Sequence, residues 1–181
     1  MIELKSPFNP EEVKKLRAGD AVKITGVIYT GRDAAHKRLC ELLANNKELP
    51  IDVNNTAIYY VGPTPAKPGR AIGSAGPTSS YRMDAYSEPL LKEGLKVMIG
   101  KGPRSKELKE MLPKYGAVYM SSIGGAAASI SETIKTCEVV AYEDLGAEAI
   151  HRLEVEDFYA IVTYDSEGND LFEQGIEQYK K

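Results

Sequence analysis

Residues 95–122, LKVMIGKGPRSKELKEMLPKYGAVYMSS, decide the fold. LKVMIG reads as a short apolar strand, KGPRS as a tight loop, KELKEMLPKYG as a helix that runs into a glycine, and AVYMSS as a second strand. Gly94 terminates the helix before this unit, which passes through Leu90 and Leu91.

Upstream the same alternation recurs. DAVKITGVIY, from Asp20, is a strand with Gly26 as a bulge position, and it delivers the chain to TGRDAAHKRLCELLANN, where Ala35, Leu39, Leu42 and Leu43 form a helical stripe. TAIYYV, from Thr56, is another strand. The proline- and glycine-rich run GPTPAKPGRAIGSAGPTSS then makes a loop far longer than ordinary connections before a helix near Arg82, and such loops tend to carry function. Nearer the start, Asn9, Pro10, Glu11 and Glu12 open a helix at the domain edge that Gly19 can end.

Downstream, a Gly124/Gly125 turn leads to the helix-like AAASISETI and a strand in CEVVAYEDLG. DFYAIVTYDSEGNDLFEQG reads as two antiparallel strands joined at SEGN. That hairpin does not fit a purely parallel arrangement, so the expectation is an α/β domain with a mixed sheet. One domain over residues 1–181 is expected, with residues 1–19 as an N-terminal extension.

The 181 residues suffice for one sizeable core, and 43% apolar with 27% charged residues is an ordinary globular composition. A formal charge of −3 disfavours a broad nucleic-acid surface. No apolar run approaches the roughly 20 residues that span a bilayer, and MIELKSPFNPEEVKKL lacks a signal-peptide core, so the expected location is the cytoplasm, away from membranes. Cys40 and Cys137 are far apart and have no histidines at ligand spacing, so they cannot alone build a zinc site or an iron–sulphur cluster. Both read as reduced packing residues, and this chain alone is expected to bind no metal.

Four junctions carry the candidate chemistry: Thr30/Gly31/Arg32; Thr78, Ser79 and Ser80 beside Arg82 and Asp84; Lys101 to Ser105; and Ser121 to Gly125. Each offers a cation, a hydroxyl or a close backbone approach, and successive strand ends can converge on one crevice. A small anion suits these dispersed cations. The plainer reading remains open at each junction: hydroxyls as helix caps, Arg104 as a solvent charge, Ser122 as a cap. No GxGxxG, phosphate loop or GxSxG elbow is present. His36, four residues after Arg32, can be a proton carrier or a structural group, while Asp33 and Asp84 can orient nearby cations or cap helices.

The ordered blocks TGRDAAH, GSAGPTSSYRMD, KGPRS, SSIGG, EDLGAEAIHRLEVEDF and DSEGND, spanning residues 20–175, resemble the C-terminal domain, or separate beta subunit, of class I fumarases and L-tartrate dehydratases. The resemblance implies a swivelling β/β/α three-layer domain. It also implies a catalytic cavity shared with a larger alpha subunit that carries a 4Fe–4S cluster, in an alpha2beta2 assembly; for the isolated chain, monomer and homodimer stay open.

By the same resemblance Thr78 is the catalytic residue, and Arg32, Arg82 and Lys101 bind a small dicarboxylate substrate. His36, Asp33, Ser79, Asp84, Arg104, Ser122, Gly124 and Gly125 support them. The implied reaction is reversible hydration of fumarate to L-malate. L-tartrate dehydration is the nearest alternative, followed by a non-catalytic carboxylate-binding module. Tyr81 and Pro103 depart from the family pattern beside the site and bear on substrate selectivity.

Overall fold

The computed structural model of the chain describes residues 1–122 and 127–180. In chain order its elements are β1 (Ile2–Lys5), α1 (Pro10–Lys15), β2 (Ala21–Thr30), α2 (Asp33–Ala44), β3 (Ala57–Tyr59), a 3₁₀ turn (Ser80–Met83) and α3 (Asp84–Lys92). There follow β4 (Val97–Gly100), α4 (Lys106–Tyr115), β5 (Val118–Ser121), α5 (Ala127–Thr133), β6 (Ile134–Ala141), a 3₁₀ segment (Glu143–Glu148), β7 (Ile150–Tyr164) and α6 (Leu171–Tyr179). This is a mixed α/β fold. Among the described residues the strands form one sheet in the order β1-β2-β3-β4-β5-β7-β6.

Strands β1 to β5 are mutually parallel. The 15-residue β7 runs antiparallel to β5, β6 and also β2, and this last pairing curls the sheet into a partial barrel. The bulge expected at Gly26 is where the β2–β7 register shifts, and its φ of 119° is one that glycine tolerates.

Both faces of the central strands are covered, and the sequence shows it as unbroken apolar runs. Ala57, Tyr59, Val97, Ile99, Val118 and Met120 point into the curl of the sheet, with Ile24, Phe158 and Val162. Ile58, Tyr60, Met98 and Tyr119 point the other way, against Leu39 of α2, Leu90 of α3, and Leu108 and Leu112 of α4. Period-two alternation thus sorts one strand's side chains between two cores and produces a sheet, sheet and helix layering.

Residues 1–19 take part in this packing. β1 pairs along β2, and Leu4, Phe8, Val13 and Leu16 are buried in the inner core. Asn9 caps α1, accepting a hydrogen bond from the Glu11 amide at 2.9 Å, and α1 ends at Lys15, before Gly19.

The expected terminal hairpin is corrected. After β7 only a single bridge joins Tyr164 to Asp170, and residues 171–179 form α6. Asp170 takes the N-cap role, its Oδ1 accepting from the Phe172 and Glu173 amides, and Lys109 of α4 ties down both Asp170 and Glu173. The sheet is mixed because of β7's pairings and not because of that hairpin.

Candidate active site

Register brings the junctions together. Thr30 lies beside Tyr59, Tyr59 beside Ile99, and Ile99 beside Met120, so the four parallel strands finish level with one another. Just beyond that line stand Arg32, the Tyr60–Val61 segment, Lys101 and Ser122. This is the carboxyl edge of a parallel sheet, where α/β domains characteristically hold ligands.

The loop carrying Thr78 is fastened to this edge. The Thr78 amide donates to the Tyr60 carbonyl at 2.7 Å, and Ser79 bridges to Lys101. Ser80 is fully buried; its amide donates to the Lys101 carbonyl and its Oγ accepts from the Lys101 amide, both at 2.9 Å. Tyr119 Oη lies 2.8 Å from both Ser80 Oγ and the Gly102 carbonyl. A carbonyl can only accept, so the phenol's one proton goes to Gly102 and Ser80 donates to the phenol. Burial pushes the Tyr119 pKa up to about 12, which keeps it a donor. Gly100 makes the junction possible, because a Cβ there would sit 1.9 Å from Ser80 Oγ.

Side chains link the junctions further. Arg82 Nε lies 3.4 Å from Asp33 Oδ2, joining the 3₁₀ turn to the start of α2 and setting Arg82 beside the Arg32–Asp33 step. Arg32 is paired more loosely, with Nε 3.8 Å from Glu148 Oε1 in the β6–β7 connection. Lys101 is exposed and makes no ion pair among the described residues. Thr78 and Ser79 are half-buried, and Tyr81, 64% exposed, stands on the rim between Ser80 and Arg82.

Arg104 is no solvent charge. Its side chain is completely buried, with Nε 2.5 Å from Asp84 Oδ1 and Nη2 bonded to Tyr60 Oη and Ser87 Oγ. The guanidinium stacks over the Tyr60 and Tyr119 rings at 5.2 and 4.9 Å. Asp84 Oδ2 accepts from the Ser105 amide. These two residues clamp the starts of α3 and α4 beneath the strand ends.

His36 is also below the surface. Its Nδ1 lies 2.8 Å from the Arg32 carbonyl, which fixes the proton on Nδ1, and its ring meets Tyr60 edge-on. Burial, only partly offset by that carbonyl, lowers its pKa from 6.5 to about 4, so it is neutral at pH 7. It therefore anchors the backbone of Arg32. Ser122 is buried, with its amide donating to the Gly100 carbonyl at 3.0 Å, while Gly124 and Gly125 lie outside the described residues.

Sequence reasoning missed the part played by Ser80, since a buried serine in a Ser/Thr run has no signature of its own. It also missed Glu148, which meets Arg32 only through the β6–β7 connection. As for metal, among the described residues no three His, Cys, Asp or Glu side chains gather as ligands. Cys40 and Cys137 are unpaired on α2 and β6, and the Cys40 thiol donates to the Tyr86 carbonyl. The donor set of the described residues does not fit an iron–sulphur cluster. A hollow of about 610 Å³ lies elsewhere, lined by Leu43, Asn46 to Val53 and Glu93.

The profile described as fumarase C-terminus matches residues 1–175. The chain belongs to this family. It is 39% identical to the anaerobic class I fumarate hydratase of Escherichia coli K12, over 92% of this chain and 35% of that protein. It is 40% identical to fumarate hydratase 1, mitochondrial, of Leishmania major, over 96% of this chain and 32% of that one. The chain thus spans about a third of the length of these fumarase relatives. Against a provisionally named L(+)-tartrate dehydratase subunit beta of Methanocaldococcus jannaschii, identity is 39%, with 91% of this chain and 87% of the relative covered.

Proposed function

We propose that the chain is the beta subunit of a cytoplasmic iron–sulphur hydro-lyase that hydrates fumarate reversibly to L-malate, at a site completed by an alpha subunit. The observation that carries this reading is the fastening of the Thr78 loop to the carboxyl edge of the parallel sheet, with Arg32, Arg82 and Lys101 around it. Family membership supports the reaction class. The cluster is assigned to the alpha subunit, in an alpha2beta2 assembly.

Arg82 is held through Nε and leaves its terminal nitrogens unclaimed among the described residues, a fork suited to a carboxylate. Lys101 adds a compact positive charge just past the end of β4. Two carboxylates, one at each end of a four-carbon acid, spread over these three cations, and one of the two carbons between them comes under Thr78. Thr78 then takes the proton from the carbon next to one carboxylate while the hydroxyl leaves the neighbouring carbon with its bonding pair and the C–H pair becomes the double bond. In the hydration direction hydroxide adds and Thr78 returns the proton. A free hydroxyl is a poor base, and neighbouring cations favour its ionised form. Binding both ends fixes the geometry before the proton moves.

Tartrate is the second reading, favoured by one observation. At 39% identity the chain is as similar to a relative that bears the tartrate dehydratase name as to the anaerobic fumarase. One added hydroxyl separates the substrates, and a site that bonds it discriminates strongly. The deciding measurement is kcat/KM of the two-subunit complex, without oxygen, for fumarate and for L-tartrate. A higher value for fumarate supports the first reading, and turnover of tartrate alone replaces it with the second.

A further inference from the structure

Arg32 reaches the site through a slot. Its Nε is buried with no hydrogen-bond partner among the described residues. On one side is Gly62, where a Cβ would stand 3.2 Å from Arg32 Cδ, 3.3 Å from its Nη1 and 3.3 Å from the Ala147 carbonyl. On the other is Glu148, whose Oε1 lies 3.8 Å from Nε.

The segment that carries Glu148 is built to stay in place. Arg38 of α2 grips Asp144 with two hydrogen bonds, of 2.8 and 2.6 Å, and lies over the Tyr142 ring at 5.1 Å. Gly146, at φ 61° and ψ −122°, turns the chain back toward β2. There the His151 amide donates to Thr30 Oγ1 at 2.9 Å. The two elements that flank Arg32, β2 and α2, therefore also hold its ion-pair partner.

A carboxylate beside a carboxylate-binding arginine weakens binding by like-charge repulsion unless it performs another task. We propose that Glu148 is a positioning residue for Arg32, its carboxylate attracting the Nε edge of the guanidinium across 3.8 Å so that the two terminal nitrogens face the strand ends. This inference rests on the dicarboxylate reading above. It adds the β6–β7 connection to the site.

The two roles open to Glu148 predict opposite signs. A carboxylate that merely repels the ligand lowers KM when removed, whereas a positioning residue raises it. In the complex with the alpha subunit, Glu148→Ala should raise KM about tenfold with kcat within about twofold, and Glu148→Gln, which keeps the side chain's shape but loses the charge that acts across 3.8 Å, should raise it nearly as much. Gly62→Ala, which narrows the slot from the other side, should reproduce the rise. In an Arg32→Ala background the Glu148→Ala change should add less than about twofold, because the residue acts only through Arg32. A lowered KM, or an equal effect in both backgrounds, overturns the assignment while the functional reading stands. A wild-type complex that turns over neither fumarate nor tartrate overturns both.

Discussion

His36 donates from Nδ1 to the Arg32 carbonyl, so a second proton would have to enter on Nε2, in a place closed to water. Its folded pKa of about 4 lies below its ordinary 6.5, so between these values the unfolded chain binds a proton that the folded chain does not. The stability from this group is complete above about pH 6.5 and falls as the pH drops toward 4, by up to about 3 kcal/mol. His151, lowered chiefly by burial, acts in the same direction. Urea denaturation at pH 7 and pH 5 should show wild type losing more stability than His36→Gln; parallel losses would contradict the assignment. A sequence shows that a histidine follows an arginine by four, but its charge depends on burial by Tyr60 and the sheet, which are distant in the chain.

Thr78 and Arg104 each directly follow a Gly-Pro pair, Gly76/Pro77 and Gly102/Pro103, so their sequence surroundings look alike; depth separates them. Arg104→Met leaves Asp84 without its buried partner and should cost about 3–5 kcal/mol in urea denaturation, with Arg104→Lys recovering little because the fork bonds Asp84, Tyr60 and Ser87 together. Thr78→Ala should instead leave stability within about 1 kcal/mol of wild type, since the loop is held there by the Thr78 amide and not its hydroxyl.

At the scale of elements, the site depends on how one loop meets one strand. β4 ends in Gly100, whose missing side chain admits Ser80, and a Gly100→Ala Cβ would fall 1.9 Å from Ser80 Oγ and 2.9 Å from the Tyr60 ring. That substitution should destabilise the domain by about 1–3 kcal/mol and sharply reduce turnover, since it moves the loop bearing Thr78 and Arg82. Retained turnover in the complex would show that the loop is not held as described. The parallel strand and helix units were legible because apolar runs, caps and glycine stops agree locally. The residue 171–179 segment was misread because LFEQG, after a turn, carries apolar residues that suit a strand as well as a helix; Asp170's capping bonds and Lys109 from a remote helix decide it. β7 was underestimated for a related reason, since its 15 residues hold three partners that only the closed sheet supplies.

At the scale of the molecule, the strand-end face presents Lys101 and Tyr81 to its surroundings, and the described residues hold no metal-ligand cluster. Under the proposed function, this is the face that the alpha subunit would complete. The sequence blocks and their family resemblance pointed to this edge, while the bonds that hold it together depend on the register of four strands. The most direct measurement is anaerobic formation of malate from fumarate by the chain alone, the alpha subunit alone, the two together, and the pair carrying Thr78→Ala. The account predicts turnover in the wild-type pair only, with a loss of at least about 100-fold for Thr78→Ala. Full turnover by the alpha subunit alone, or by the Thr78→Ala pair, would contradict it.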